Sequence, residues 1–155
     1  MNKYLNQIEI RVRGIIFKDD KILVLQQEGK NYYHFPGGHV EFGEQLTETL
    51  IRELKEELIL EIKDYKLIGT IDNIYIDISN EKHHEVNFIF YIEAEKIQDK
   101  SNESNLKVVF LNFEELSSEK ILPLSMRDSI IQWKKDKKFF WVTDDLKDKV
   151  MGHLE

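Results

Sequence analysis

The chain has 155 residues, of which 41% are hydrophobic and 33% are charged, and it carries a formal net charge of −7 at pH 7. That length suits one domain with its own core and is short for two. An acidic chain disfavours a broad surface for long nucleic acid, which is usually bound by basic residues.

The chain has no cysteine, which excludes disulfides and thiolate-bound zinc. No apolar run reaches the roughly 20 residues that a membrane helix needs, and residues 1–14 lack the apolar segment of a signal peptide. We therefore expect a cytoplasmic protein that does not contact a membrane.

The first predicted elements are two neighbouring strands within residues 8–28, where β-branched and aliphatic residues lie on both sides of a polar KDDK turn. A short aromatic run follows at residues 32–35. In this run Tyr32 or Tyr33 is a candidate to stack on a nucleobase, although aromatic residues in strands more often belong to the core.

Residues 36–60, PGGHVEFGEQLTETLIRELKEELIL, combine glycines, a helical pattern and six glutamates in one segment. Gly37 and Gly38 after Pro36 end the preceding strand, and Gly43 permits a second sharp turn. The loop between these glycines can therefore fold back over the helix that follows.

A helix over residues 46–58 places the carboxylates of Glu53, Glu56 and Glu57 on one face, because these residues are three and four positions apart. Beside that face lies an apolar stripe that predicts burial against a sheet, formed by Leu50, Ile51, Leu54 and Leu58. The acids are thus expected at the border between core and solvent.

Three carboxylates this close repel one another unless a positive charge compensates them. A hard divalent cation suits carboxylate oxygens, which predicts Mg²⁺ or Mn²⁺ as the cofactor. Glu44 near the helix start could reach the same cluster. Arg52, four residues before Glu56 and four after Glu48, could pair with either of them and hold the acids in position. A solvated charged face is the alternative for any Glu-rich helix, but the upstream glycines and Glu44 favour the metal site.

Residues 62–78 predict two strands with a break near residues 72–73, and residues 85–94 (EVNFIFYIEA) predict the strongest strand of the chain. His83 and His84 between them are a weak metal signal, because neighbouring residues of a strand point to opposite faces. We expect these histidines at a solvated loop end.

A long polar connection, residues 97–105, precedes a further strand at residues 106–112. Residues 125–137 have a helical pattern with Ser125 as a candidate cap. The packed side of this helix is predicted to contain Met126, Ile130 and Trp133, with Ile131 as a further candidate. The apolar run 139–142 predicts an added strand or a cover for the core, and its exposure would indicate a homodimer contact. The charged residues after it could form a final helix.

Residues 38–60 resemble the signature of the Nudix hydrolase family, G-x5-E-x7-R-E-U-x-E-E-x-G-U, in which U is a bulky aliphatic residue. The matching positions are Gly38, Glu44, Arg52, Glu53, Leu54, Glu56, Glu57 and Leu60. Glu41 also resembles a glutamate often found within the family's loop. Ile59 replaces the family's glycine, and because a β-branched residue takes the left-handed conformation only at a cost, we expect a different turn after the helix.

The resemblance implies an α/β fold, the Nudix-type α/β/α sandwich with a mixed β-sheet, over residues 8–138. We expect a single domain over residues 1–155, with residues 139–155 as a C-terminal extension. The implied activity is that of a metal-dependent pyrophosphohydrolase, which cleaves a nucleoside diphosphate linked to another group by attack of water on phosphorus. Nucleoside triphosphates, ADP-ribose and nucleotide sugars are small-molecule substrates of this type.

The resemblance also implies roles for residues of the segment. The implied metal ligands are Glu53, Glu56, Glu57 and, as a supporting ligand or orienting general base, Glu44. Arg52 would hold these carboxylates in place, and Gly37 and Gly38 would let the backbone approach the phosphates.

The family draws its general base from different places, so the signature does not identify it. Glu103, in the polar connection, is the first candidate and Glu85 is the second, with Glu44 and Glu53 as candidates within the signature. Two other functions stay open: a catalytically silent module that binds a nucleotide and regulates another process, and a hydrolase of a non-nucleotide diphosphate.

Overall fold

The computed structural model describes residues 6–150 of the chain, and it describes side chains as far as residue 144. The elements in this range are β1 (Ile8–Lys18), β2 (Lys21–Gln27), β3 (Gly37–His39), α1 (Leu46–Glu57), β4 (Glu61–Ile76), β5 (Lys82–Glu95), β6 (Leu106–Asn112), a 3₁₀ helix (Phe113–Ser118), α2 (Leu124–Asp136) and β7 (Phe140–Val150). None of these helices is long and apolar enough to cross a membrane.

The strands form one mixed sheet in the order β6-β2-β1-β5-β4-β7, and β3 pairs with β1 beside this path. β1 runs parallel to β5 and β4 runs parallel to β7, whereas the other pairs are antiparallel. α1 packs on one face of the sheet and α2 packs on the other. The α/β/α sandwich with a mixed sheet that the sequence predicts is therefore confirmed.

Two apolar cores hold the helices on the sheet. Leu50 and Leu54 of α1 are fully buried against β1, β2 and β5. The predicted packed side of α2 is confirmed by the burial of Met126, Ile130 and Trp133, and the further candidate Ile131 is partly buried against the same core. Fully burying a side chain of this size contributes about 1.5–3 kcal/mol, so the apolar stripe fixes the rotation of α1 about its axis. That rotation turns Glu53 and Glu57 towards β3.

β4 is one continuous strand, so the predicted break near residues 72–73 is wrong. Asp72 and Asn73 stay in register with Val86 and Glu85 of β5, and the irregularities of this pairing lie nearer the start of β4. Asn73 is fully buried. A residue type that favours turns is here held inside the sheet by the strands on both sides.

The two neighbouring histidines lie within β5 rather than at a loop end, which corrects the prediction. They do point in different directions, as residues of a strand must. His83 is hydrogen-bonded to Glu9 and Asp77, whereas His84 Nε2 lies 2.8 Å from Asp72 Oδ1.

The last helix and strand differ in detail from the prediction. Pro123 is the N-cap residue of α2, so Ser125 is not the cap. The predicted added strand is confirmed by β7, which pairs with β4 and continues to Val150. Because β4 offers backbone partners along this length, the predicted final helix is wrong as far as residue 150. Residues 151–155 lie outside the described residues.

α1 ends without a left-handed residue. Its C-cap, Leu58, has the extended conformation φ −122°, ψ 155°, and Ile59 is not among the residues with positive φ. The carbonyl oxygen of Ile59 accepts a hydrogen bond from Gln98 N at 3.0 Å. The chain thus leaves the helix directly in an extended conformation, which explains why a β-branched residue fits there.

Candidate active site

β3 brings two glycines against the carboxylates of α1. The Gly37 amide donates towards Glu57 Oε2 at 3.4 Å. The space beside Gly38 is filled by Glu53, since a Cβ on Gly38 would lie 2.3 Å from the carboxyl carbon of that glutamate. Neither glycine has room for a side chain, and each contacts a different acid.

Alanine at these two glycines should affect different properties of the protein, turnover for Gly38 and stability for Gly37. The three atoms nearest to a Cβ on Gly38 all belong to the flexible end of Glu53. Gly38→Ala should therefore fold normally, displace that carboxylate and lower turnover by roughly a hundredfold, the cost of a misplaced group. A Cβ on Gly37 would lie 2.0 Å from Val12 O, at φ +145°, so Gly37→Ala should lower the melting temperature. Thermal unfolding and steady-state rates check both variants. Normal turnover in Gly38→Ala would show that Glu53 is not needed where it lies.

Arg52 ties the loop before α1 to the acids of the helix. Its Nε lies 2.7 Å from Glu44 Oε1 and its Nη2 lies 2.9 Å from Glu44 Oε2, a paired contact that fixes the carboxylate plane. Its Nη1 donates to Glu53 Oε1 at 2.8 Å. Thr49 Oγ1 also donates to Glu44, at 2.8 Å. These hydrogen bonds, above all those from Arg52, lower the pKa of Glu44 to about 2.

The buried side chain of Glu57 has too little positive charge around it to compensate the ionisation of its carboxyl. It is only 6% exposed, and burial raises its pKa to about 8, against the effect of Arg13 and with a further rise from Glu53 and Glu103. Burial also raises the pKa of Glu53. Two adjacent carboxyls that resist ionisation are the electrostatic condition that a divalent cation relieves. Glu53 and Glu57 therefore fit Mg²⁺ or Mn²⁺ by their oxygen donors and by their charge.

Glu56 and Glu44 are placed differently from these two acids. The Glu56 side chain is 53% exposed, and its Oε2 lies 3.6 Å from Arg52 Nη1. Both carboxylate oxygens of Glu44 are bonded to Arg52. The structure thus brings Glu53 and Glu57 to the glycines of β3, and a ligand role for Glu56 or Glu44 stays a prediction.

A separate group of possible ligands lies at the turn between β4 and β5. Among the described residues, ligand atoms of Asp77, Glu81 and His83 all lie within 4.8 Å of one another. His83 is held from both sides, 3.1 Å from Asp77 Oδ2 and 3.1 Å from Glu9 Oε1. Burial lowers the pKa of His83, but the hydrogen bonds to Glu9 and Asp77 outweigh burial and raise it. An imidazole hydrogen-bonded between two carboxylates accounts for this group without a metal.

The polar connection before β6 is docked on the C-terminal end of α1. Ser101 Oγ and Asn102 N donate to the carbonyl oxygen of Glu57 at 2.6 and 3.1 Å. Asn102 Nδ2 donates to Lys55 O at 3.0 Å. These bonds satisfy carbonyls that the end of a helix leaves unpaired. Glu103 follows at once, is exposed, and is close enough to contribute to the raised pKa of Glu57.

Beside the glycine strand lies a cavity of about 490 Å³, within the roughly 300–1,000 Å³ of small-molecule sites. Gly37, Gly38 and Glu53 form part of its wall. The wall contributed by the sheet and the β4–β5 turn contains Arg11, Arg13, Tyr75, Asp77, Ile78 and Glu85. The cavity therefore connects the acids of α1 with a polar region of the sheet.

Arg11 and Glu85 form a fixed part of this wall. Arg11 Nε lies 3.2 Å from Glu85 Oε1, and Arg11 Nη2 lies 3.2 Å from Glu9 Oε2. The Tyr75 hydroxyl donates to Glu85 Oε1 at 2.9 Å. Glu85, the second candidate for general base, is only 5% exposed and is already bound to these partners.

Arg13 is a cation without a carboxylate partner among the residues that the structure describes. Its Nη1 donates to Phe35 O at 3.1 Å. Burial and the charge of Arg11 lower its pKa, while Glu85 and Glu57 act against them. Arg13 thus lies within electrostatic reach of both the cavity wall and α1. Sequence reasoning missed Arg11 and Arg13, although the alternation in Arg-Val-Arg places both on one face of a strand.

The fold places the two candidate stacking residues, Tyr32 and Tyr33, in different surroundings. Tyr32 lines the cavity, and its stacking role stays a prediction. Tyr33 packs against the core beneath α2. His34 lies in the chain between these tyrosines and the glycines of β3. Burial and the charge of Arg13 lower its pKa to about 4, so this imidazole is neutral at pH values near 7.

The fold and the site together define an α/β protein in which a glycine strand, an acidic helix and a polar cavity meet. The sequence model of the NUDIX domain matches residues 8–133. The chain belongs to the Nudix hydrolase family, and the resemblance seen in the sequence is confirmed.

The names of two similar proteins describe hydrolysis of diphosphate bonds. The chain is 34% identical over 88 residues to an ADP-ribose pyrophosphatase of Methanocaldococcus jannaschii, a match that covers 55% of this chain and 50% of that protein. It is 33% identical over 127 residues to a putative 8-oxo-dGTP diphosphatase of Bacillus subtilis, covering 79% and 77%. Several matches span about half of the relative or less. A crystal structure of a MutT protein from Bacillus halodurans shares the fold, with TM-score 0.74, 20% identity and 90% coverage of both chains.

Proposed function

We propose that this Nudix protein is a cytoplasmic, metal-dependent pyrophosphohydrolase that cleaves a nucleoside diphosphate linked to another group. One observation carries the proposal. The carboxyls of Glu53 and Glu57, whose pKa values burial raises, lie against two glycines beside a cavity of nucleotide size. The two relatives support the substrate class, because ADP-ribose and 8-oxo-dGTP both carry a phosphoanhydride next to a nucleoside.

Glu53 and Glu57 would hold the metal, which when bound neutralises phosphate oxygens and makes a water molecule more acidic. Arg52 keeps the Glu53 carboxylate in one orientation through a bond of 2.8 Å. Arg13, which has no carboxylate partner in the described part of the chain, would bind a phosphate oxygen in the cavity that it lines.

The proton of the attacking water needs a carboxylate with a free oxygen to accept it. Glu103 meets this condition best, since it is exposed and its loop is docked beside Glu57. Glu85 is bound by Arg11 and Tyr75 and is therefore the second candidate.

A substrate panel tests the proposal. It contains nucleoside triphosphates with 8-oxo-dGTP, ADP-ribose, nucleotide sugars and one non-nucleotide diphosphate, with phosphate release coupled to excess phosphatase. We expect turnover of at least one nucleotide with Mg²⁺ or Mn²⁺, none in EDTA, and recovery when the metal is restored. Full turnover without metal contradicts the metal assignment. Nucleotide binding without turnover indicates a silent module, and turnover of the non-nucleotide alone indicates the other substrate class.

A further inference from the structure

β7 is the last strand on its side of the described sheet. It pairs with β4 in parallel register, from Gly69 opposite Phe140 to Asn73 opposite Asp144. Within residues 6–150 no strand pairs with its other side. An edge of this kind presents unpaired backbone N–H and C=O groups, to which another strand can add.

The edge also carries exposed apolar side chains. Phe140 and Val142 point into the core beneath α2, so alternation turns Trp141 to the opposite face. There Trp141 is 75% exposed, and Phe139, which precedes the strand, is 58% exposed. On the adjoining strand β4, Leu67 is 37% exposed. We name Leu67, Phe139 and Trp141 the edge patch.

The helix α1 packs on the face of the sheet to which Trp141 points. It does not extend over the edge patch. Trp141 is in register with Thr70, and Thr70 is in register with Phe88, which packs beneath α1. No described residue of β7 belongs to that core. Exposed apolar side chains beside an unpaired strand indicate an interaction surface.

The segment 138–144 carries opposite charges at its two ends. Lys138 precedes the strand and Asp144 lies within it, three residues on either side of Trp141. Neither side chain forms an ion pair with another residue whose side chain is described. If two copies of the segment pair antiparallel about Trp141, Lys138 of each copy faces Asp144 of the other. Phe140 then faces Val142, and the two Trp141 rings form a cross-strand pair.

We propose that a second copy of this chain adds to β7 in antiparallel orientation, with the twofold axis at Trp141, and forms a homodimer with one continuous sheet. A twofold interface requires a self-complementary surface. The order of charges, with a cation before and an anion after a central aromatic, meets that requirement. A strand from an unrelated protein would bind this edge without requiring such a symmetric order of charges. The dimer does not depend on the proposed enzymatic function.

Charge exchange tests the pairing. Sedimentation velocity of the full chain, from micromolar to submillimolar concentration, should show a monomer–dimer equilibrium. Lys138→Glu and Asp144→Lys each place like charges opposite one another at two symmetric positions, so each should raise the dimer dissociation constant by about tenfold or more. An equimolar mixture of the two variants should dimerise like the parent, because both charge pairs become attractive again. The double variant Lys138→Glu with Asp144→Lys should also recover.

A second variant tests the edge patch. Trp141→Lys should give a monomer with unchanged secondary structure, since the indole is largely exposed in one copy. Ile8→Lys is the matched control, because Ile8 is 59% exposed on another strand, and it should leave the dimer intact. A parent chain that stays monomeric over the whole concentration range overturns the proposal. Single charge variants that dimerise as tightly as the parent overturn it as well.

Discussion

Replacing Glu57 with glutamine should lower kcat by roughly a thousandfold, the scale of the several kcal/mol that metal-held charge can contribute to a transition state. The variant keeps the shape of a side chain that is only 6% exposed and removes its charge. Because burial already disfavours ionisation of this carboxyl, the fold should not lose stability. The measurement is kcat at saturating metal with the best substrate of the panel. Glu48→Gln, the same change at an exposed position of α1, is the control and should keep nearly parental turnover.

The pH dependence gives Glu57 a second signature. Its pKa is raised from 4.5 in the absence of structure to about 8. The folded, metal-free protein therefore binds more protons than the unfolded chain between these values, and this group makes it less stable as the pH rises through that window. A cation needs the ionised carboxylate, so metal binding near neutral pH should release a proton and tighten up to about pH 8.

Calorimetry in two buffers with different ionisation enthalpies measures that proton release. Glu57→Gln should abolish it, and Glu48→Gln should not change it. Unchanged proton release in Glu57→Gln, together with normal turnover, would remove Glu57 from the metal site.

The acids of α1 could be predicted because helix geometry alone places residues three and four apart on one face. The apolar stripe beside them fixes which way that face turns. The bond between Arg52 and Glu44 follows no helical spacing, since Glu44 lies before the helix. It depends on a loop that folds back, which the glycines permit but do not dictate.

The cavity wall could not be predicted from local pattern. It is created by the parallel pairing of β1 with β5, which sets Glu9 opposite Glu85 and brings Arg11 to both of them. Such pairing joins segments that are far apart in the chain. The misplaced break in β4 has the same origin, because Asn73 is fully buried between neighbouring strands and their pairing outweighs its preference for turns.

Replacing Glu103 with glutamine should separate the general base from the metal ligands. We expect kcat to fall by about 10²–10⁴-fold, the usual contribution of proton transfer, with metal affinity little changed. The fold should survive, because Ser101 and Asn102 hold this loop on α1 and the Glu103 side chain is exposed. The measurements are kcat against metal concentration and against pH, with thermal unfolding in parallel.

The deficit of Glu103→Gln should shrink as the pH rises, because hydroxide partly replaces the missing base. Glu85→Gln is the comparison. It weakens the compensation of the partly buried Arg11, so it should lower the melting temperature together with the rate, at every pH. If Glu103→Gln turns over like the parent, the loop does not supply the base. A pH-dependent loss in Glu85→Gln would then assign the role to Glu85, and its absence would leave Glu44 and Glu53, the two carboxylates that Arg52 holds.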